Sequence, residues 1–323
     1  MENLSLDLVI CTYNNALLLD RVLGAIREQV VSPKIKWGVL VVNNNCTDET
    51  VEIVEKYQKT AKFTLRMVIE LIQGLTPARL CGVKNTSGEW IAFVDDDCLL
   101  APDWVEQAAI FAKSQPKCGG FGGKVILDWQ IQPSDEIIKF GYCYAEQNHG
   151  EEVQTVPCIV GAGMVIRRTA LEDVGWIDKQ LLADRVGKKL ISGGDVEIGL
   201  RLASKYDLWY NPACQLQHLI PEYRISLDYL HKMNIGLGGS KLFGDSLLWG
   251  KSYPLWLMTS IAYGIREGLK LITWTLHNLR WGKSLTEVSL YGSFLKGWWL
   301  GLWQLFWLNP QERQALLGCA KVS

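Results

Sequence analysis

The chain has 323 residues and a nearly balanced charge, with 33 Lys and Arg against 34 Asp and Glu, and its basic residues are scattered. Nucleic acid is therefore not expected as a partner, because a nucleic-acid-binding surface needs clustered Lys and Arg. The nine cysteines form no C-x-x-C pair, which argues against a disulfide framework and a zinc site and predicts a cytoplasmic location.

Strand and helix patterns alternate through the first 100 residues. Apolar runs predict strands over 8–10, 38–42, 63–69 and 90–94, and helical spacing follows each of the first three. In the third helix, Thr76 is predicted as the N-cap and Pro77 as the first helical residue, with an end at Gly88. This alternation predicts an α/β fold with a mostly parallel central sheet flanked by helices, whose ligands bind beyond the carboxyl ends of the strands.

Beyond residue 115 the pattern is mixed, with a helix predicted near 195–204 and a short strand near residue 208. We predict a catalytic domain over 1–239, with a nucleotide-binding half (1–115) and an acceptor-binding half (116–239), and a helical C-terminal extension over 240–323. The extension carries nine Lys and Arg against four Asp and Glu and holds eight of the fourteen tryptophans. This composition favours contact with an anionic lipid surface.

Two apolar, aromatic stretches lie in the extension, over 253–276 and 289–308. The first contains three charged residues, so we predict an amphipathic helix that lies on the inner face of the cell membrane, anchored by Trp256 and Trp274. The second is long enough to span a bilayer, but Lys296 near its middle leaves a transmembrane segment only as an alternative. A further alternative is that both helices pack on the catalytic domain or on a second subunit.

Three adjacent carboxylates, Asp95, Asp96 and Asp97, directly follow the strand predicted at 90–94. Carboxylates this close repel one another unless a cation lies among them. Mg²⁺ or Mn²⁺ prefers such oxygen ligands and keeps open positions for diphosphate oxygens, whose charge it neutralises. The alternative is a solvated acidic turn that caps the next helix.

Two further carboxylates, Asp195 and Glu197, lie at the start of the helix predicted near 195–204. Either can be a general base that takes the proton from an acceptor hydroxyl, and the spacing alone does not choose between them. For Asp195 the alternative is a simple N-cap.

Three other features have two interpretations each. Arg79 can bind a nucleotide phosphate or base, or it can form a surface ion pair. His218 can be a metal ligand, or a structural histidine. The Gly161-Ala162-Gly163 turn can let the backbone approach a sugar closely, or it can be a plain turn beside a strand.

Five motifs in this order resemble glycosyltransferase family 2, a family with the GT-A fold, over about residues 5–220. They are Val9-Ile10-Cys11-Thr12-Tyr13-Asn14, Val41-Val42-Asn43-Asn44-Asn45-Cys46-Thr47-Asp48, Gly74-Leu75-Thr76-Pro77-Ala78-Arg79, Phe93-Val94-Asp95-Asp96-Asp97, and Gly193-Gly194-Asp195 with Arg201. The extension is similar to that of bacterial exopolysaccharide transferases, which implies a glycan or polyprenol-linked acceptor.

The resemblance implies sugar transfer from a nucleotide-sugar donor with inversion at the anomeric carbon. It implies that Tyr13 and the Cys11 backbone hold the base, that Arg79 assists, and that Asp96 contacts the ribose. It also implies that Asp97, with Asp95, binds the metal. Asp195 matches the general base of the family, and this match favours it over Glu197.

Three positions depart from the family pattern, which usually has Pro at Cys11, Asp at Asn43 and Asn44, and Glu at Gly194. A carboxylate therefore does not recognise the base in the second strand turn. The Asn44 carbonyl can accept from the uracil ring N–H, so a UDP-linked donor is expected, while guanine and thymine nucleotides stay open.

Two functions from other classes are weighed beside the transferase. A nucleotidyltransferase that makes nucleotide sugars needs a Gly-rich basic loop near the N-terminus, and residues 11–15 offer neither feature. A catalytically inactive membrane adaptor with the same fold is disfavoured because Asp95, Asp97 and Asp195 are all present.

Overall fold

The computed structural model describes residues 4–115, 117–182, 193–250 and 252–318. The strands in these ranges are β1 Ser5–Thr12, β2 Lys36–Asn43, β3 Thr64–Ile69, β4 Trp90–Phe93, β5 Cys98–Leu100, β6 Cys118–Trp129, β7 Gln154–Thr155, β8 Met164–Arg167 and β9 Asp207–Ile220. The helices are α1 Ala16–Arg27, α2 Thr50–Gln58, α3 Leu75–Lys84, α4 Trp104–Ser114, α5 Asp135–Ile138, α6 Arg168–Asp173, α7 Gly194–Ala203, α8 Leu227–Leu247, α9 Tyr253–Arg280, α10 Thr286–Trp307 and α11 Pro310–Leu316.

The strands form one sheet in the order β3-β2-β1-β4-β8-β6-β9-β5, with β7 paired to β9. The four strands β3, β2, β1 and β4 are parallel, as the alternating pattern predicts. The remaining strands are mixed, since β8 runs antiparallel to β4 and β6, and β5 runs antiparallel to β9. The parallel half places the ends of β1, β2 and β4 at one edge of the sheet.

The last strand is much longer than the short strand predicted near residue 208. It covers 14 residues and pairs with β6 along both halves of its length. A register shift between Asn211 and Leu216 interrupts the pairing and the alternation of buried residues, which conceals the strand in the sequence.

Apolar side chains cover both faces of the sheet. In β1, Leu8 and Ile10 point into the core that includes Trp104 of α4, whereas Val9 points into the opposite core with Trp176. This period of two places the helices on both sides of the sheet, as an α/β fold requires.

Helix α3 begins earlier than predicted. It starts at Leu75 with Gly74 as the N-cap and ends at Lys84, so the predicted N-cap Thr76 and the predicted end at Gly88 are wrong. The Thr76 hydroxyl is buried inside the helix and caps nothing. Helix α3 starts at this earlier position because the Gly74 N–H donates to the side-chain oxygen Oδ1 of Asn44 at 2.8 Å, a contact between distant loops.

The C-terminal helices pack closely on one another. A Cβ added to Gly238 of α8 would collide with the Phe294 carbonyl of α10, and one added to Gly297 with the Ile235 carbonyl. The helices therefore approach to backbone contact. The predicted boundary at residues 239 and 240 lies inside α8, and the division into two domains stays a prediction.

Helix α9 packs against α10 with one face and exposes the other. Trp256, Ser260, Gly264 and Glu267 are buried, so the prediction that Trp256 anchors the helix at a membrane surface is wrong. The opposite face carries exposed apolar side chains at helical spacing, which we call the α9 stripe: Leu255, Met258, Ile261, Ile265, Leu269, Ile272, Leu276 and Leu279. Among the described helices, including α10 over the stretch 289–308, none is both long and apolar enough to cross a membrane.

Candidate active site

The loops after β1 and β2 are tied to each other by side chains. Asn14 has a φ of 50° and accepts the Thr47 N–H at 2.7 Å. Asp48 accepts the N–H of Ala16 at 2.9 Å and thereby satisfies the N-terminus of α1. Burial raises the pKa of Asp48, but hydrogen bonds from Thr50 and the backbone outweigh it and leave the pKa below its usual value. The two loops consequently form one rigid edge.

Asn44 organises the loop that leads into α3. Its Nδ2 donates to the carbonyls of Glu70 and Ile72, at 2.9 and 2.8 Å. Its Oδ1 accepts the Gly74 N–H and Gln73 Nε2, at 2.8 and 3.2 Å. These four bonds use the whole hydrogen-bonding capacity of the amide. The expected acceptance of a uracil N–H is therefore corrected: Asn44 lines the site and shapes its loop.

The three carboxylates of the acidic triplet lie in three different environments. The Asp95 side chain is 35% exposed and lies 3.8 Å from Arg79 Nη2. Asp96 accepts a hydrogen bond from Asn15 Nδ2 at 2.8 Å, and withdrawal from water together with the Asp97 charge raises its pKa to about 7. The Asp97 side chain is buried. The triplet is therefore not a solvated turn.

Asp97 contacts two residues from the far end of the chain. Its Oδ1 lies 3.3 Å from His218 Nε2, and its Oδ2 accepts from Arg224 Nη1 at 2.9 Å. His218 reaches this place because antiparallel pairing puts it opposite Cys98, the residue after Asp97. Arg224 lies in a short 3₁₀ helix after β9, and no pattern in the sequence singled it out.

The tautomer of His218 follows from its second contact. Nδ1 lies 2.6 Å from the carbonyl oxygen of Tyr144, and because a carbonyl only accepts, Nδ1 carries a proton. Nε2 is then directed at Asp97 either as a donor or with its lone pair. Burial alone would lower the pKa of His218, but the Asp97 carboxylate raises it above its ordinary value.

The geometry fits a divalent cation at this point. Ligand atoms of Asp97, Cys98 and His218 lie within 4.8 Å of one another. A carboxylate oxygen suits Mg²⁺ or Mn²⁺, whereas an imidazole nitrogen fits the transition-metal ion Mn²⁺ better than Mg²⁺. Burial holds the pKa of the Cys98 thiol well above its usual range, so Cys98 stays protonated and is a poor ligand. Asp97 and His218 are therefore the residues of this group that could hold a cation, with the partly exposed Asp95 next to Asp97 in the chain.

Asp195 and Glu197 have separate roles. Glu197 is fully buried, accepts the backbone N–H groups of Leu181 and Leu182, and pairs with Arg201 at 2.6 Å. Burial is the largest influence on its pKa, which is raised. Glu197 is therefore a structural residue. Asp195, in the first turn of α7, is directed into the cavity.

Gly161 separates Asp195 from Arg79. A Cβ at this position would lie 2.9 Å from Arg79 Nη2 and 3.1 Å from Asp195 Oδ2. The Arg79 guanidinium is buried and lies 5.4 Å from the centre of the Phe93 ring, so it is not a surface ion pair. The predicted turn at 161–163 thus brings its backbone close to both Arg79 and Asp195.

All of the predicted site residues line one cavity of about 500 Å³ at the carboxyl edge of the sheet. They are Cys11, Tyr13, Asn44, Arg79, Asp95, Asp96, Asp97 and Asp195. His218, Arg224 and the aromatic residue Tyr142 also line it. The volume lies in the range typical of small-molecule sites.

Comparison with known proteins agrees with this architecture. The structure of mannosyltransferase PcManGT from Pyrobaculum calidifontis, in complex with GDP-Man and Mn²⁺, matches with a TM-score of 0.60 at 17% identity. The match covers 93% of this chain and 87% of that one. This likeness shows the GT-A fold that the motifs predict.

Two sequence relatives are proteins of Haloferax volcanii. Glucosyl-dolichyl phosphate glucuronosyltransferase is 25% identical over 180 residues, which cover 54% of this chain and 57% of that protein. Glycosyltransferase AglE is 30% identical over 192 residues, which cover 59% of this chain and 58% of that protein. The chain thus spans little more than half the length of these relatives. The model of the family described as Glycosyl transferase family 2 matches residues 7–175, more than half of the chain. The chain therefore belongs to glycosyl transferase family 2.

Proposed function

We propose that this chain is a metal-dependent, inverting glycosyltransferase that moves a sugar from a nucleotide-sugar donor to a glycan or polyprenol-linked acceptor. One observation carries the proposal: a single cavity joins the Asp97–His218–Arg224 cluster to Asp195 from another element. A cation-binding centre and a carboxylate base in one cleft are what sugar transfer from a diphosphate requires.

The first half of the chain binds the nucleotide in this proposal. Tyr13, 44% exposed at the cavity wall, stacks on the base, and the Cys11 backbone contacts its edge. Asp96 contacts the ribose, and Arg79 donates to a phosphate. Asn44 acts through the loop that it holds.

Asp97 and Asp95, with His218, hold Mg²⁺ or Mn²⁺. The bound cation supplies positive charge to the donor diphosphate. Arg224, 2.9 Å from Asp97, brings a permanent positive charge to the same place and stabilises the departing nucleoside diphosphate. PcManGT, which shares the fold, forms a complex with GDP-Man and Mn²⁺, and this supports a nucleotide sugar and a divalent cation here.

Asp195 is the general base. It accepts the proton of the acceptor hydroxyl while that oxygen forms a bond to the anomeric carbon from the side opposite the diphosphate. The bond between the anomeric carbon and the diphosphate oxygen breaks, and the diphosphate leaves with its electron pair. One displacement of this kind inverts the configuration at the anomeric carbon.

The acceptor side faces the C-terminal extension. We propose that the α9 stripe lies on the cytoplasmic face of the membrane, since exposed apolar surface of this extent marks an interaction site. One relative is named for glucosyl-dolichyl phosphate, a lipid-linked sugar, which supports a lipid-linked acceptor for this chain. A place in bacterial polysaccharide biosynthesis follows from the resemblance of the extension.

The experiment that tests the proposal is a calorimetric titration of the purified chain with UDP-, GDP- and dTDP-sugars, each with and without Mn²⁺. The proposal expects one nucleotide class to bind at least tenfold more tightly with Mn²⁺ present. If none of these donors binds, the transferase proposal fails and the inactive adaptor takes its place.

A further inference from the structure

A second cavity lies beside the catalytic one. It has a volume of about 480 Å³, and Tyr142 and Leu237 line both cavities. The two spaces are therefore neighbours separated by two side chains. This second cavity, which we call the tail groove, has no role in the chemistry described above.

The tail groove forms where the C-terminal helices meet the acceptor-binding half of the chain. Trp274 of α9, Leu290 and Phe294 of α10, and Phe140 after α5 line it. Asn234 also lines it, but its amide donates to the Leu230 carbonyl at 2.9 Å. The lining is thus mainly aromatic and aliphatic, which suits an apolar ligand.

We propose that the tail groove binds the polyisoprenoid chain of a lipid-linked acceptor and delivers its sugar past Tyr142 into the catalytic cavity. The inference rests on the proposed function and adds to it a binding site for the acceptor tail. Tyr142 is 60% exposed, so its side chain can turn aside at the junction of the two cavities.

The tail groove lies between the catalytic cavity and helix α9, and this position identifies the ligand that it binds. At one end, the groove shares Tyr142 and Leu237 with the cavity that holds Asp195. At the other, Trp274 belongs to α9, the helix that also carries the exposed apolar side chains of the α9 stripe. A ligand that joins the two has a polar head in the catalytic cavity and an apolar tail that runs toward the membrane side.

A sugar or a nucleotide fits the tail groove less well than an isoprenoid chain does. Either would need hydrogen-bonding partners along its length, because a buried polar group without a partner costs free energy. The charged side chains at the groove, Lys139 and Glu287, lie 3.9 Å apart and are more than half exposed, so they belong to its rim. Methyl-branched isoprene units present the apolar surface that aromatic rings bury well.

The test uses a geranylgeranyl phosphate analogue with a benzophenone at the end of its tail, photo-crosslinked to the full chain. Two matched variants add a carboxylate at partly exposed phenylalanines of the same helix: Phe294→Glu inside the groove and Phe306→Glu outside it. We expect labelling of the peptides around Trp274 and 286–294, a loss of about tenfold or more in Phe294→Glu, and unchanged labelling in Phe306→Glu.

Competition separates the isoprenoid from other apolar chains. Unlabelled geranylgeranyl phosphate should suppress labelling at a concentration at least tenfold lower than palmitoyl phosphate does. Equal competition by palmitoyl phosphate would overturn the assignment to a polyisoprenoid. Labelling confined to Met258 and Ile265 would show a tail that lies on the α9 stripe, and equal labelling of Phe294→Glu and wild type would also sink the proposal.

Two controls keep these outcomes clear. Thermal unfolding shows whether Phe294→Glu is folded, and Phe294→Ser, a smaller polar change with the same expected loss, replaces it if it is not. Donor binding is measured on the same preparations. Intact Mn²⁺-dependent donor binding without groove labelling removes this inference alone, whereas groove labelling without any donor binding removes the transferase proposal.

Discussion

Polar and apolar side chains are distributed in opposite ways in the sheet and in the C-terminal helix α9. In the sheet, apolar residues fill both faces and polar residues gather at the strand ends, where they meet in one cavity. In α9, the carboxylate of Glu267 is buried at 6% exposure while Ile265, two residues earlier, is 55% exposed. The sheet therefore buries its apolar side chains, whereas α9 presents apolar side chains on its outer surface.

Buried charge in α9 is possible because partners surround it. Glu267 accepts from Lys270 and from the Tyr291 hydroxyl, at 2.8 and 2.7 Å, and pairs with Arg266. Hydrogen bonds from Lys270 and then Tyr291 lower the pKa of Glu267 to about 2. The hydrogen bond from Tyr291 of α10 to the charged Glu267 joins the two helices. This contact uses a polar residue of α9, and the apolar side chains of α9 lie on its outer surface.

The largest expected effect distinguishes two carboxylates of helix α7, Asp195 and Glu197. Asp195→Asn removes the base and should lower the rate of sugar transfer by about 10²- to 10⁴-fold, with donor binding and thermal stability nearly unchanged. Glu197→Gln should instead lower the thermal stability and leave the transfer rate of the folded enzyme nearly unchanged. The loss of stability is expected because the Arg201 charge stays buried without its partner. Transfer assays and thermal unfolding measure both, and normal turnover by Asp195→Asn would refute its role.

The second prediction concerns the acidic triplet. Asp97→Asn keeps the shape of the side chain but weakens cation binding, so the gain in donor affinity on adding Mn²⁺ should fall by on the order of 10- to 100-fold. Calorimetry with and without Mn²⁺ measures this gain. Asp103→Asn, an exposed change outside the cavity, is the control. An unchanged Mn²⁺ effect in Asp97→Asn would show that the ligand is elsewhere.

The α9 stripe supplies the third prediction. Ile265→Lys together with Leu269→Lys should weaken binding to zwitterionic lipid vesicles by about tenfold for each residue, because each change removes apolar surface from the interface and an uncharged lipid surface does not attract the added Lys. Ile110→Lys on α4 is a matched control, since Ile110 is 53% exposed. Vesicle sedimentation measures the effect. Equal sedimentation of all three proteins would contradict a membrane-facing stripe.

Point changes are preferable here to removal of residues 249–323. Backbone contact between α8 and α10 at Gly238 and Gly297 means that such a deletion would expose the face of α8. Loss of vesicle binding by that truncated chain would then have two explanations, misfolding and a missing anchor.

The smallest expected effect is a pH dependence of stability. Because the folded pKa of Glu267 lies below its ordinary value of 4.5, its ionised form stabilises the fold above about pH 4.5, and this contribution is lost as the pH falls toward 2. Glu267→Gln should therefore lower the thermal midpoint by a few degrees at pH 6 and by less near pH 3. The exposed change Glu52→Gln is the control, and a difference that does not shrink with acid would exclude this network as the cause.

Much of the parallel part of the sheet could be predicted because its sequence signals are local. Each parallel strand and the polar residues after it are adjacent in sequence, so Tyr13, Asn44 and Asp95 could be placed at one edge. The start of α3 could not be placed, because a hydrogen bond from Gly74 to Asn44 decides it and the sequence shows only the local preference of Thr76 and Pro77.

The sequence by itself determined the fold class, the family resemblance and the acidic strand end, since these depend on short patterns of adjacent residues. Only the tertiary structure decided which groups face Asp97, because the pairing of β5 with β9 brings His218 to it and the turn after β9 brings Arg224. It likewise separated Asp195 from Glu197, because side chains two residues apart in a helix point about 200° apart around its axis and therefore reach different surroundings. The physical reason is the same in these cases. The role of each side chain is decided by contacts with residues distant in the chain, and local spacing does not show these contacts.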